Sequence, residues 1–154
     1  MKKIFFFIFA ISLQLLSEPL KVGDEMTLLQ FETQKEEKII ISKETRTLIF
    51  TSDMEASKIA HELFEKLGDD YLKQNNAIFI SDIHKMPFLI TKFVALPKMR
   101  KYPYSIALIR EEGPGFIFPR EKGRLTVISL SEYKVSSIQF VENTEDLKNK
   151  IDRK

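Results

Sequence analysis

Residues 52–55 are the first stretch whose residue types could do chemistry, and they read Ser-Asp-Met-Glu. Two carboxylates and a hydroxyl so close together could act as general acid or base groups, or could orient a bound ligand. The same S-x-x-E spacing is that of a capping box, in which Ser52 and Glu55 satisfy the free amides at a helix start and Asp53 offsets the helix dipole. Both interpretations remain open for a short list of residues: Ser52, Asp53, Met54 and Glu55.

A second stretch holds one of the two histidines of the chain. Asp82, His84 and Lys85 follow a predicted buried strand, and open α/β sheets place ligands at the carboxyl ends of their strands. His84 could act as a base beside Asp82, or it could be a solvated loop residue. His61 lies on a predicted helix, and the two histidines lack the spacing of a metal motif. The sequence therefore assigns no metal ligand and no catalytic residue.

The composition excludes several kinds of chemistry. The 154 residues contain no cysteine, which excludes thiolate nucleophiles, disulfides and cysteine-ligated metals for this chain. A net charge of +2 is too small for a nucleic-acid-binding surface. No G-x-G-x-x-G phosphate loop is present, and no cofactor is predicted.

The beginning of the chain predicts export. Lys2 and Lys3 precede an apolar run at 4–16, which Ser17 follows, and this is the pattern of a secretory signal peptide. The run is too short to span a bilayer permanently. We expect a signal peptide at 1–17, a mature domain at 18–154 without a stable membrane span, and delivery to a bacterial periplasm.

Hydrophobic periodicity predicts the strands that must position these residues. Alternation predicts a hairpin over 27–41, and continuous apolar runs predict buried strands at 46–51 and 77–81. Three further strands are predicted in the last third of the chain, at 104–109, 125–130 and 135–141.

Apolar residues at helical spacing predict the helices between those strands. One helix runs from the capping box to a stop at Gly68, and a second runs from Pro87 to Pro97 with an apolar face. A last helix begins at Asn143 or Thr144 and reaches Ile151. The order of elements predicts a single α/β domain.

Three local features resemble the thioredoxin-like superfamily. Residues 48–58 look like the thioredoxin strand that runs into its active-site helix, and residues 22–24 with the following hairpin resemble the peroxiredoxin-like branch. Residues 102–106 resemble the loop whose cis-proline faces that active site. The resemblance implies a three-layer fold with a central mixed sheet and an N-terminal β-hairpin. Residues 95–104 are also similar to a stretch shared by a group of uncharacterised exported bacterial proteins.

The thioredoxin reaction does not follow from this resemblance. Where the superfamily has C-x-x-C or one peroxidatic cysteine, this chain has residues 54–58, and thiol–disulfide exchange needs a thiolate. Our first hypothesis is therefore a non-redox module that binds a protein or peptide partner in the cell envelope. Its surface would join residues 52–55 to Tyr102, Pro103 and Tyr104. A cis Pro103 would leave a backbone edge open for an extended peptide, although the tyrosines could instead simply cover the sheet edge.

The alternative hypothesis is a non-thiol enzyme, or a binder of a small ligand such as a flavin, that uses Asp53, Glu55 or His84. It predicts a concave pocket with one of these groups buried. The binding hypothesis predicts a shallow apolar groove, exposed tyrosines and an available strand edge.

Two groups of basic residues remain. Lys98, Arg100 and Lys101 could meet an acidic partner, or could be the cationic end of a helix. The second group is predicted to supply turn and edge-strand charges, at Arg120, Lys122 and Arg124.

Overall fold

A seven-stranded mixed sheet forms the centre of the domain. The computed structural model describes residues 18–26 and 28–152, and the predicted signal peptide at 1–17 lies outside them. The sheet has the order β2-β1-β5-β4-β3-β6-β7. Its strands are β1 (Gln30–Thr33), β2 (Lys38–Ile40), β3 (Thr47–Thr51), β4 (Ala77–Asp82), β5 (Ala107–Ile109), β6 (Leu125–Ser131) and β7 (Lys134–Val141).

Strand directions confirm the mixed sheet and the N-terminal hairpin. β4 lies parallel to β3 and to β5, whereas all other neighbouring pairs, including β1 with β2, are antiparallel. All five residues of β3 are buried, as its continuous apolar sequence predicts for an interior strand.

Helices cover one face of this sheet. They are α1 (Met54–Gln74), α2 (Phe88–Ile90), a π-helical turn (Thr91–Ala95), α3 (Leu96–Met99) and α4 (Thr144–Ile151). The stripe of α1 that holds Ala60 and Phe64 packs on Phe79 of the sheet, and Leu147 of α4 joins the same core. The predicted terminal helix is confirmed, with Asn143 as its N-cap.

The opposite face is covered mostly by chain without regular helix. Phe118, which follows a 3-10 helix (Pro114–Ile117), stacks on Phe50 with ring centroids 4.7 Å apart. Met26 from the N-terminal segment packs into the same core. The sheet thus has a covered core on each side, which gives the three layers that the resemblance implies.

The start of α1 differs from the predicted capping box. Its N-cap is Asp53, whose Oδ1 accepts a hydrogen bond from the Ala56 amide at 2.9 Å. Thr51 donates its hydroxyl to the Asp53 carbonyl oxygen at 3.0 Å and so supports this register. Ser52 therefore precedes the cap. Asp and Ser are about equally good caps, so the local sequence could not decide between them.

Gly68 interrupts α1 but does not end it. Its φ of 71° and ψ of −176° break the helix, which then resumes and continues to Gln74. The Asp69 amide donates to the Pro103 carbonyl oxygen at 2.9 Å, so a distant loop stabilises the resumed turns. Glycine adopts a positive φ without steric cost.

Residues 88–99 form one continuous helical segment, which we call the 88–99 helix. Its burial and its end differ from the sequence prediction more than those of any other helix. Five residues are predicted to form its apolar face: Leu89, Ile90, Phe93, Val94 and Leu96. The first four are 48–66% exposed, and Phe88 before them is 71% exposed. Pro97 does not end the helix. The Leu96 amide donates to the Thr91 carbonyl oxygen, the bond of a π-helical turn, which places Pro97 in the first turn of α3. A missing amide is tolerated there.

The loop before β5 also departs from the expectation. All peptide bonds of the described residues are trans, so the cis Pro103 that the resemblance implies is wrong. β5 begins at Ala107 and not at Tyr104. The buried side chain of Gln34 takes the place of a strand here, because its Oε1 accepts from the Ile106 amide at 2.8 Å.

Candidate functional site

The predicted residues at the start of α1 lie against the loop that leads into β6. Asp53 Oδ2 accepts a hydrogen bond from the Gly123 amide at 3.0 Å. A Cβ at Gly123 would lie 3.3 Å from Glu55 Oε2, so the Glu55 carboxylate lies close to this loop. Met54 is 75% exposed. The loop facing the helix start is therefore 120–124, and not 102–104 as the resemblance implies.

Tyr102, Pro103 and Tyr104 lie against the middle of α1. The Tyr104 hydroxyl is 2.7 Å from His61 Nδ1, and the Tyr102 ring stacks on Tyr104 with centroids 5.3 Å apart. Tyr104 is only 1% exposed, so the prediction of exposed tyrosines is wrong for this residue. Burial raises the pKa of the Tyr104 hydroxyl well above its usual range.

The two halves of the predicted binding surface are thus separated. Pro103 contacts Gly68 and Asp69, which lie about 20 Å along the helix from Met54. No hydrogen bond in the part of the chain that the structure describes links residues 52–55 to residues 102–104.

Asp82 and His84 form a pair that the sequence only suggested. His84 Nδ1 lies 2.6 Å from Asp82 Oδ1, and the His84 amide donates to the same oxygen at 3.2 Å. The His84 and Asp82 side chains are 12% and 1% exposed, respectively. Of the two alternatives that the sequence left open for His84, the solvated loop residue is therefore wrong, because the imidazole is hydrogen-bonded to the buried Asp82 carboxylate at the end of β4.

Arg120 belongs to the same cluster and is not a turn or edge charge. Its guanidinium lies 5.2 Å from the centroid of the Phe50 ring, and its Nη2 lies 3.6 Å from Asp82 Oδ2. It also donates to the Gly115 carbonyl oxygen. Asp82 Oδ2 is buried and has no hydrogen-bond partner among the described residues. A Cβ at Gly115 would lie 2.2 Å from that oxygen, so Gly115 covers the carboxylate closely.

A cleft of about 220 Å³ opens at the opposite end of β4. The hairpin, the last turns of α1 and the beginning of β4 surround it. Its lining residues are Thr33, Glu37, Lys38, Ile39, Asp69, Leu72, Lys73, Ala77, Ile78, Phe79 and Ser105. Sequence reasoning did not find this cleft, because residues from four separate elements build it.

One wall of the cleft is a free strand edge. All of Ala77–Phe79 pairs with β3, but β5 pairs with β4 only from Ile80 onward. The Ile83 amide donates to the carbonyl oxygen of Ile109 in β5, so the backbone groups of Ile83 point to the β5 side of β4. Because backbone polar groups alternate between the two sides of a strand, those of Ala77 and Phe79 point to this same side. The Phe79 carbonyl oxygen accepts from the Ala107 amide at the start of β5, whereas the Phe79 amide and both backbone groups of Ala77 face the cleft without a neighbouring strand among the described residues.

Asp69 fixes the loop that borders the cleft. Its Oδ1 accepts from the Ser105 amide at 3.0 Å, and its Oδ2 lies 2.7 Å from Lys73 Nζ. Burial opposes ionisation of Asp69, but the hydrogen bonds from Lys73 and Ser105 outweigh it and lower the pKa of the carboxyl group. The residues that follow Pro103 are thereby held beside the free edge.

No group of three or more His, Asp or Glu side chains that could hold a metal ion occurs in the described ranges. No helix there is long and apolar enough to cross a membrane.

Several solved structures have a similar architecture. A peroxiredoxin-like protein from Aquifex aeolicus matches with a TM-score of 0.52 and 14% identity, covering 88% of both chains. A peroxidoxin from Mycobacterium tuberculosis matches with a TM-score of 0.50 and 12% identity, covering 86% of this chain and 94% of that one. The thioredoxin domain of a thiol-disulfide oxidoreductase from Bacteroides vulgatus matches with a TM-score of 0.51 and 6% identity, covering 86% and 99%.

The fold is thioredoxin-like. Identities this low show the fold alone. No protein-family model matches the sequence, and no curated protein does. The chain contains no cysteine, so this thioredoxin-like domain cannot carry out the thiol chemistry that the names of those proteins describe.

The thioredoxin-like domain has functional candidates that sequence reasoning missed. Gln34 lies in a polar turn of the sequence, and nothing in its neighbours marks it as buried. The edge of β4 is free because β5 begins only at Ala107, and where β5 begins depends on contacts between strands that are far apart in the sequence. Among the candidates for a catalytic role, the Asp-x-His spacing is a local signal that points to a real contact.

Proposed function

We propose that this thioredoxin-like domain is an exported, non-redox binding module that takes an extended segment of a partner protein along the free edge of β4. The open backbone edge at Ala77–Phe79 carries the proposal. An added strand would hydrogen-bond to that edge and complete the sheet locally, which is a general way to recognise extended peptides.

The surroundings of the edge support a peptide as the ligand. Three residues of strand extend about 10 Å, so two or three peptide residues fill the gap between β4 and the hairpin. Lys38 and Glu37 on one side and the Asp69–Lys73 ion pair on the other offer charges of both signs to the side chains of such a peptide. Ser105, two residues after Pro103, lines the cleft, so the predicted Pro103 loop ends at its border.

The cell envelope is the proposed location of the partner. The support is the basic and apolar pattern of residues 1–17. Cell fractionation and N-terminal sequencing test this part, with cleavage expected near Ser17 and Glu18.

Amide hydrogen exchange tests the binding mode directly. Peptides selected from a random display library on the immobilised protein serve as the probe. We expect the amide of Phe79 to become protected when a selected peptide binds, because the peptide carbonyl accepts its hydrogen bond. Protection of residues elsewhere, with Phe79 unchanged, would refute strand addition at this edge.

A variant that fills the cleft provides a second test. Lys38→Trp places a large side chain in the cleft, whereas Lys35→Trp places the same side chain on the exposed hairpin turn outside it. Peptide affinity should fall about tenfold or more in the first variant and stay within about twofold in the second. Equal affinities in both variants would contradict the proposed site.

The Asp82–His84 pair favours one second candidate, a hydrolytic enzyme in which Asp82 orients His84 as a general base. Turnover of a simple activated ester, compared between the natural protein and His84→Ala, tests it. Lys85→Ala is the control for a neighbouring exposed change. Equal rates in all three proteins would remove this candidate.

A further inference from the structure

The 88–99 helix presents an apolar surface to solvent. Phe88, Leu89 and Ile90 are all exposed although they follow one another directly, and Phe93 and Val94 on the next turn are 66% and 57% exposed. Successive helical residues are about 100° apart, so the apolar surface wraps more than half of the helix circumference. The helix is held to the domain farther along, where Leu96 and Met99 pack on the core. Its first turns therefore protrude.

The chain segment that contains this helix has charged side chains of one sign only. Residues 83–110 contain six Lys or Arg side chains and neither Asp nor Glu. Lys92 lies over the rings of Phe88 and Phe93, with Nζ 5.7 and 5.5 Å from their centroids. Arg100 and Arg110 form ion pairs with the hairpin, at Glu36 and Glu32. The four lysines of the segment make no ion pair with any described residue, namely Lys85, Lys92, Lys98 and Lys101.

The exposed apolar side chains and these four lysines together indicate which kind of partner would cover the 88–99 helix. A second copy joined by a two-fold axis would bring lysines of both copies together, which like charges oppose. A protein groove takes a helix by one stripe of residues spaced three or four apart, and not by three successive ones. A lipid surface, in contrast, accepts phenylalanines around a protruding helix and offers phosphates to the lysines beside it.

We propose that the first turns of the 88–99 helix insert into the interfacial region of a bilayer that contains anionic phospholipid. Phe88, Leu89 and Phe93 enter to a depth of about 5–10 Å, and Lys92 and Lys98 stay at the level of the phosphates. This anchors the domain on a membrane surface without a transmembrane segment. The helix shares no residue with the peptide cleft, so the two proposals stand or fall separately.

Vesicle sedimentation tests the proposal. The chain from residue 18 is used, since residues 1–17 are apolar enough to bind lipid by themselves and every residue of the two cores lies between Leu20 and Ile151. We expect this protein to sediment with vesicles of phosphatidylglycerol and phosphatidylcholine in equal parts. Binding should weaken by about tenfold or more on pure phosphatidylcholine, and it should weaken with added salt.

Matched variants distinguish vesicle binding by the apolar residues of the 88–99 helix from non-specific adsorption to lipid. Phe88→Ser with Phe93→Ser should lower the partition coefficient by about tenfold or more, because both side chains would leave the lipid. Val22→Ser with Leu28→Ser removes two equally exposed apolar residues elsewhere and should leave binding unchanged. Lys92→Glu with Lys98→Glu should abolish the preference for anionic vesicles. Circular dichroism verifies that each variant is folded.

Three results would overturn the proposal. The protein could fail to bind the anionic vesicles, or the double serine variant at 88 and 93 could bind as well as the natural protein. A dimer that depends on Phe88 and Phe93, without vesicle binding, would instead assign this helix to contact between copies.

Discussion

The side-chain amide of Gln34 donates from Nε2 to the carbonyl oxygen of Tyr104 at 2.7 Å. With the bond that its Oε1 accepts from the Ile106 amide, one buried side chain pairs with backbone as a strand would. The chain before β5 therefore needs no strand partner. The first half of β4 is paired with β3 but has no strand among the described residues on its other side, and this gap is the cleft.

Replacement of Gln34 should be costly. Gln34→Ala leaves the Ile106 amide and the Tyr104 carbonyl buried without partners, and we expect the free energy of unfolding to fall by about 2–4 kcal/mol. Urea denaturation measures it. Gln74→Ala, at the exposed end of α1, is the matched control and should change stability by less than about 0.5 kcal/mol. A similarly small effect at position 34 would show that water replaces the side chain.

Asp69 should make the domain sensitive to acid. Its pKa in the folded protein is lowered, so its contribution to stability is fully present above the unfolded value of about 3.9. That contribution is lost as the pH falls from there through the lowered folded pKa. Asp69→Asn has no such titration. The stability difference between the natural protein and this variant should therefore shrink below about pH 4.

Urea unfolding at a series of pH values measures this difference. Asp70→Asn, which removes the same charge from the next, exposed residue, is the control. A difference at position 69 that stays constant down to the lowest pH would mean that the Ser105 bond does not depend on the charge.

Gly115 should not tolerate a side chain. A Cβ there would lie 2.2 Å from Asp82 Oδ2, so Gly115→Ala should lower the free energy of unfolding by about 1–3 kcal/mol through overpacking. In an Asp82→Ala background the obstructing oxygen is gone, and the cost should fall below about 1 kcal/mol. Denaturation of the four proteins in this cycle measures the coupling. If Gly115→Ala lowered the stability equally in the natural protein and in Asp82→Ala, the added methyl group would clash with an atom other than Asp82 Oδ2.

The sequence by itself determined the elements with strong local patterns. The apolar runs of β3 and β4, the stripe of α1 and the two final strands follow from side-chain periodicity, and each lies where its pattern predicts, apart from shifts at the ends. The absence of cysteine excludes thiol chemistry whatever the fold. These conclusions need only information that neighbouring residues carry, since periodicity and residue type are local properties.

Tertiary structure decided which side chains are buried, which are exposed and which contact one another. The apolar face predicted between Leu89 and Leu96 indicates burial, yet the first turns of this helix protrude beyond the core, so Phe93 and the preceding Phe88 are exposed to solvent. Conversely, Gln34 is buried because Tyr104 and Ile106 lie opposite it, 70 and 72 residues later in the chain. His84 is held by Asp82, and Arg120 and Gly115 close over the same carboxylate from another loop. Burial and contact depend on partners distant in sequence, and that is why local patterns could not decide them.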